Sequence, residues 1–186
     1  QHPRAIALGL DRIGAVARRL DLARPAPVVI SVAGTNGKGS TIAFVEAILR
    51  AAGLRVGAYT SPHLLRYNER LRIDGADIDD AALVEAFARI EAARGETPLT
   101  YFEYGTLAAL RICAASSLDV ALLEVGLGGR LDATNVLDAT RVVVLTNVSL
   151  EHTDVLGSTR EAIAAEKLAV TPSGCTVVVG EPEWEE

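Results

Sequence analysis

Cysteine is scarce: the 186 residues contain two, Cys113 and Cys175. One lies in an apolar, helix-patterned stretch and the other beside a strand-like run. They read as reduced core residues, with no basis for a disulfide framework or a cysteine-ligated metal centre. Basic residues are outnumbered, 18 Lys and Arg against 24 Asp and Glu, for a net charge of −6. That balance argues against a general nucleic-acid binder, which would present a basic face. No apolar run reaches the roughly 18 residues of a membrane span, and no internal repeat or low-complexity tract is visible. The start shows no basic leader followed by an apolar core and a small-residue cleavage site. These absences lead us to expect a cytoplasmic protein with neither nucleic acid nor membrane as partner. The chain opens on Gln1 and stops just after a strand-like run, as expected of a piece of something longer.

The chain is 49% hydrophobic, enough to bury one core as a single α/β domain. It is organised around Val28-Val29-Ile30-Ser31-Val32-Ala33-Gly34-Thr35-Asn36-Gly37-Lys38-Gly39-Ser40-Thr41. A β-branched apolar run opens onto a loop with three glycines and a lysine, and an amphipathic helix is predicted from Thr41 to about Ala52. This is the order a phosphate-cradling loop needs. Glycines let backbone N–H groups approach a polyphosphate, the helix N-terminus adds partial positive charge, and Lys38 adds a full one. Ser40 or Thr41 offers a hydroxyl to a magnesium ion. The general P-loop template differs at two places: it has Gly where Val32 stands and Ser or Thr where Gly39 stands. The bland alternative is a glycine-rich turn with a solvated lysine, but such a turn has no need of three glycines around a lysine at a helix start.

Along the chain, apolar residues at Leu10, Ile13, Val16, Ala17 and Leu20 form one helical face. Pro25 and Pro27 precede the first strand, 28–33. A second strand is expected over 55–59 after a helix stop at Gly53. Thr60-Ser61-Pro62-His63 follows it, at the end of a strand where open α/β sheets bind ligands. Residues 66–77 read as a long loop or a small hairpin. Asp79 caps a helix running to about Ala93, and Thr100 to Glu103 opens another to about Ala115. Strands at 119–125 and 141–146 are continuously apolar, as in buried parallel strands. Ser158-Thr159-Arg160-Glu161 has capping-box spacing, which starts a helix carrying Lys167. A last short strand spans 175–179. Alternating strands and helices predict a P-loop NTPase-like, doubly wound, mostly parallel α/β sheet with flanking helices.

Several residues could carry chemistry, each against a plainer alternative. Ser61 could simply cap a turn. Glu124 ends an apolar strand, where a lone carboxylate costs several kcal/mol unless it is paired or bound to a cation; Gly126, Gly128 and Gly129 leave room beside it. A magnesium ion at nucleotide phosphates would supply the missing partner. His152 could be a satisfied loop residue, Lys167 an exposed helical lysine, and Glu103 the far half of a capping box with Thr100.

Together these blocks resemble a known family. Val32 to Ser40 is similar to the P-loop of the Mur ligase superfamily, in which the extra Gly after the Lys is normal. Thr60 to Leu64, Arg66 to Arg70, Leu99 to Thr106, Glu124 to Asn135 and Glu151 to Gly157 narrow the resemblance to bacterial bifunctional dihydrofolate synthase/folylpolyglutamate synthases. It runs from about Ile6 to Pro182. The resemblance implies an N-terminal ATP-binding domain of the Mur ligase central-domain type over 1–186, with a C-terminal glutamate-ligase domain absent from this chain. It implies that Gly34, Thr35, Asn36, Gly37, Lys38, Gly39 and Ser40 cradle ATP. Two Mg²⁺ ions are implied, one held by Ser40, Ser61 and Glu124 and a second by His152 and a carbamylated Lys167. Lys38, Glu124, His152 and Lys167 form the catalytic set. Thr100, Tyr101, Phe102, Glu103, Leu131, Asp132 and Ala133 hold dihydropteroate or folates, with Ile6 and Leu8 nearby; Ala7 stands where the family more usually has Asp. The implied activity is an ATP-dependent ligation of L-glutamate through an acyl phosphate, in a protein that is a monomer at full length and whose isolated first domain is a poor catalyst. A Mur-type peptidoglycan ligase and a non-catalytic nucleotide-binding module are the competing readings.

Overall fold

The computed structural model describes residues 8–137 and 139–180. Ile6 and Ala7 of the expected substrate segment lie outside the described residues. The elements follow in the order α1 (Asp11–Arg19), β1 (Val28–Ala33), α2 (Lys38–Ala51), β2 (Val56–Tyr59), β3 (Leu71–Ile73) and β4 (Ala76–Asp77). Then come α3 (Asp80–Arg94), α4 (Tyr101–Ala115), β5 (Val120–Glu124), β6 (Thr140–Leu145), α5 (Thr153–Leu156), α6 (Arg160–Leu168) and β7 (Thr176–Val179).

One seven-stranded sheet runs in the order β4-β3-β2-β5-β1-β6-β7. The five strands β2, β5, β1, β6 and β7 are parallel, and β3 and β4 add an antiparallel edge. This is the doubly wound, mostly parallel sheet that the alternation of elements predicted. Successive residues of β1 point to opposite faces. Val28, Ile30 and Val32 meet Ile42, Val45 and Leu49 of α2, while Val29 joins a larger core with Ile13 and Val16 of α1, Ile90 of α3, and Leu107 and Leu110 of α4. Toward β6, Val143 and Leu145 pack against Leu156, Ile163 and Ala164 of α5 and α6.

Register decides where the strands end. Val32 pairs with Glu124, Tyr59 with Leu123, and Ala33 with Leu145. The loops after β1, β2, β5 and β6 therefore leave the sheet at one level, at its carboxyl edge.

Helix boundaries differ from the predicted ones in two instructive places. α2 begins at Lys38, not Thr41, because Gly37 adopts a left-handed conformation (φ 82) that turns the chain straight into the helix. At α6 the N-cap is Thr159, whose hydroxyl accepts from the Ala162 amide, so the cap sits one residue later than the Ser158 spacing suggests. The capping box of Thr100 and Glu103 forms as predicted. Residues 66–77 take the hairpin option: a short 3₁₀ turn over Tyr67–Arg70, then β3 and β4 joined through Asp74 (φ 50) and Gly75 (φ 80).

Candidate active site

The loop from β1 to α2 is fastened on its far side to the β6–α5 connection. The Thr35 amide donates to the Asn147 carbonyl (2.9 Å) and the Asn36 amide to Asn147 Oδ1 (2.8 Å). Thr146 Oγ1 donates to the Asn36 carbonyl (2.7 Å), and the Ser149 amide to Thr35 Oγ1 (3.0 Å). Gly34 makes the fit possible: with φ at 143, a Cβ there would lie 1.9 Å from Thr146 Oγ1. α2 starts without a side-chain cap, which leaves its first-turn amides facing the loop as an anion site.

Lys38 is not the solvated loop lysine that its position suggested. Its ammonium folds back onto the Gly34 and Thr35 carbonyls at 2.9 and 3.0 Å. Burial lowers its pKa, and Lys167 adds to the effect, while Glu124 and Glu151 oppose it.

Lys167 departs from the plainer alternative of an exposed helical lysine and lies at a small cavity together with Lys38 and His152 of the expected catalytic set. It is 2% exposed. Its Nζ donates to the Gly34 carbonyl (3.1 Å) and to Glu151 Oε1 (2.5 Å). Two ammonium groups thus converge on the Gly34 carbonyl. Burial works against ionisation of Glu151, but the hydrogen bond and charge of Lys167 outweigh it and hold the carboxyl below its usual range.

Glu124 closes β5 beneath the same loop, 6% exposed, with Oε2 accepting from the Ser61 amide at 3.1 Å. Desolvation pushes its pKa up against the opposing pull of that hydrogen bond, Lys38 and Arg72. Gly39, in the first turn of α2, faces this carboxylate: a Cβ on it would lie in ordinary contact with Glu124 Oε2, at 3.7 Å. His152 is exposed and sits in a left-handed conformation (φ 45) at the head of α5.

Two cavities open at this edge. A small one of about 50 Å³ is bounded by Gly34, Lys38, Glu151 and Lys167 together with Gly126, Leu127 and His152. A larger one of about 330 Å³ takes in the expected substrate residues Thr100, Tyr101, Phe102 and Glu103, then Leu131, Asp132 and Ala133, with Leu8 and Ser61. Gly126, Leu127 and His152 belong to both walls. Asn36, Gly37, Gly39 and Ser40 lie exposed at the rim and border neither cavity.

Two acids of the larger cavity are already engaged by the protein. Glu103 Oε2 accepts from the Thr100 amide and Oε1 from Arg12 (3.0 Å). Asp132, 2% exposed, accepts from the amides of Gly126, Leu127 and Thr134 and from the Thr134 hydroxyl. Burial still drives its pKa upward against those hydrogen bonds. Gly126 passes so close to Phe102 that a Cβ would meet the ring at 2.5 Å.

Among the described residues no group of three or more His, Cys, Asp and Glu can hold a metal ion by itself. Magnesium keeps several waters and takes one or two carboxylates plus substrate phosphates. Glu124, a desolvated carboxylate between Ser61 and the loop, fits that modest requirement. Glu151, Asn147 and Arg70 were assigned no role from the sequence; the signal for the first two was a polar run directly after an apolar strand.

A family model described as Mur ligase middle domain matches residues 32–176. The chain belongs to the Mur ligase family. It is 54% identical over 182 residues to the dihydrofolate synthase/folylpolyglutamate synthase of Escherichia coli (strain K12), an alignment covering 98% of this chain and 43% of that protein. The solved E. coli FolC in complex with DHPP and ADP superposes with a TM-score of 0.95 at 54% identity, covering 98% of this chain and 44% of that one. A bifunctional folylpolyglutamate synthase/dihydrofolate synthase with Mn, AMPPNP and L-glutamate bound gives a TM-score of 0.91 at 56% identity, covering 96% and 44%. The chain thus spans less than half the length of the relatives it matches. Among the described residues no helix is long and apolar enough to cross a membrane.

Proposed function

We propose that residues 1–186 are the N-terminal, ATP-binding domain of a cytoplasmic ligase that joins L-glutamate to dihydropteroate and to folates. A C-terminal domain completes the glutamate site, and the full-length protein is a monomer. One observation carries the reading: a cavity bounded by Gly34, Lys38, Glu151 and Lys167 shares a wall, through Gly126, Leu127 and His152, with a larger cavity lined by Tyr101 and Phe102. A carboxylate lying in the second would meet a γ-phosphate held in the first.

In the first step a carboxylate oxygen of the substrate bonds to the γ-phosphorus, the bridging P–O bond breaks and ADP departs. The amine of L-glutamate then bonds to the acyl carbon of the resulting acyl phosphate, loses a proton and expels phosphate. No side-chain nucleophile is needed. The protein contributes position and charge. The first-turn amides of α2 and Lys38 hold the phosphates, and Leu8, Thr100 to Glu103 and 131–133 hold the pterin end, with Asp132 fixing the loop that carries it. Ser40, Ser61 and Glu124 would hold one Mg²⁺ and His152 with Lys167 a second; bound there, the ions offset charge on the phosphoryl oxygens.

Carbamylation of Lys167 fits this scheme under one condition. The lysine ammonium sits against Glu151, so a carbamate would set two anions side by side and would need a divalent cation to offset their charge. With ¹³C-labelled bicarbonate, a carbamate carbon resonance is expected only when Mg²⁺ and nucleotide are both present.

The function is tested by calorimetry and phosphate release with the full-length protein. Binding of dihydropteroate, and L-glutamate-dependent phosphate release with it, is the expected result. Activity with a UDP-muramyl peptide instead would make the protein a peptidoglycan ligase. Nucleotide binding without either activity would make it a binding module.

A further inference from the structure

One buried cation of the larger cavity has no part in the scheme above. Arg70 ends the 3₁₀ turn before β3, and its carbonyl accepts from the Thr60 amide at 2.8 Å, which pins it beside Ser61. The residue is 8% exposed and borders the cavity. Its guanidinium carbon lies 5.4 Å from the Tyr67 ring centroid and 5.6 Å from that of Tyr101. Its Nε donates to His63 Nδ1 at 2.8 Å, so a neutral His63 carries its own proton on Nε2.

What Arg70 does not have is an anion. Among the described residues it enters no ion pair. The nearby carboxylates are committed: Glu69 to the amides of Leu64, Leu65 and Arg66, Glu103 to Thr100 and Arg12, Glu124 to Ser61. Aromatic faces and an imidazole offset part of the cost of burying a guanidinium, but they do not neutralise it. Five N–H donors in a planar fork match a carboxylate, and His63 uses one of them.

We propose that Arg70 binds the carboxylate of the ligand in the larger cavity, aimed by His63 and the two tyrosine rings. This rests on the reading that the cavity receives a pteroate-type substrate. Phe102 and Leu131 line the cavity for a flat ring system. The carboxylate end then lies toward Ser61, the side of the cavity on which Arg70 is pinned. Holding that group both discriminates against uncharged analogues and presents an oxygen for phosphoryl transfer.

The test compares pteroate with its neutral carboxamide, by calorimetry on the full-length protein. A charge-assisted fork predicts a carboxylate preference of roughly ten- to a hundred-fold in the wild type. Arg70→Gln should weaken pteroate by that factor, change the carboxamide by less than about twofold, and leave AMPPNP affinity intact. Equal losses for both ligands would mean that Arg70 only staples its loop to α4, and would overturn the proposal. If Arg70→Gln also loses AMPPNP, and so its fold, His63→Ala decides. It keeps the charge but removes the contact that aims it, so the preference should fall at least about threefold, and an unchanged preference overturns the assignment. A wild type that binds both compounds equally defeats the Arg70 proposal while the substrate reading stands. One that binds neither defeats the substrate reading itself.

Discussion

Lys38 and Lys167 both reach the Gly34 carbonyl, yet their second partners differ, Thr35 for one and Glu151 for the other. Lys38 closes the loop on itself with two carbonyl contacts, worth about 1 kcal/mol each net and partly offset by the desolvation that lowers its pKa. Lys38→Ala should therefore lower AMPPNP affinity by at least about a hundred-fold by calorimetry, while stability in urea falls by no more than about 2 kcal/mol. Lys167 is a buried partner of Glu151 and should behave differently. Lys167→Ala is expected to cost about 2–4 kcal/mol, since it leaves a cavity and a partly buried carboxylate unpaired. Glu124 sets a pH dependence. Burial raises its folded pKa, so the folded state favours the protonated form, and its destabilising effect appears as pH rises through that pKa. In chelator, Glu124→Gln should melt higher than wild type at neutral pH, and the difference should shrink to nothing in acid below the unfolded carboxyl pKa. It should also abolish Mg²⁺-dependent nucleotide binding. A Glu124→Gln protein that melts lower at every pH would identify a structural carboxylate instead.

At the scale of elements, the site depends on how closely the loop after β5 approaches the end of α6. Gly129 makes that approach possible. A Cβ there would stand 2.6 Å from the Glu166 carbonyl and 2.9 Å from that of Lys167, backbone atoms that cannot swing away. The contact is locked by the Arg130 amide donating to the Glu166 carbonyl (3.0 Å) and by the Arg130–Glu166 ion pair (3.1 Å). Gly129→Ala should cost about 2–4 kcal/mol and displace Lys167 as well, so nucleotide affinity should fall although no ligand contact is removed. The caps are separable from this: Thr159→Ala should cost about 1 kcal/mol in denaturant without changing the site. Elements of this kind were legible in the sequence where local chemistry governs them. Val28 to Ala33 and Val120 to Glu124 are continuous apolar runs, and Thr100 to Glu103 is a self-contained capping box. The early start of α2 was not legible, because it depends on the left-handed conformation of Gly37. The burial of Lys167 was not legible either, since nothing within one turn of α6 announces that Gly34, more than a hundred residues away in sequence, will lie against it.

For the molecule as a whole, the apolar surface is uneven. α2 turns its own Phe44 (71%) and Ile48 (66%) outward, and every residue of β7 is exposed. The chain alone is expected to bind AMPPNP but to release no phosphate when L-glutamate is added, because the glutamate site is proposed to need the second domain; turnover by the chain alone would refute that division. The sequence by itself determined the alternation of strands and helices, the phosphate loop and the family, because each is written in contiguous residues whose spacing carries the chemistry. Only the tertiary structure decided that Lys38, Glu151 and Lys167 border one small space, and that Arg70 enters the neighbouring one without a carboxylate partner. Those outcomes depend on parallel register, which ends β1, β2, β5 and β6 at one level, and on the glycines that let separate loops come within contact there.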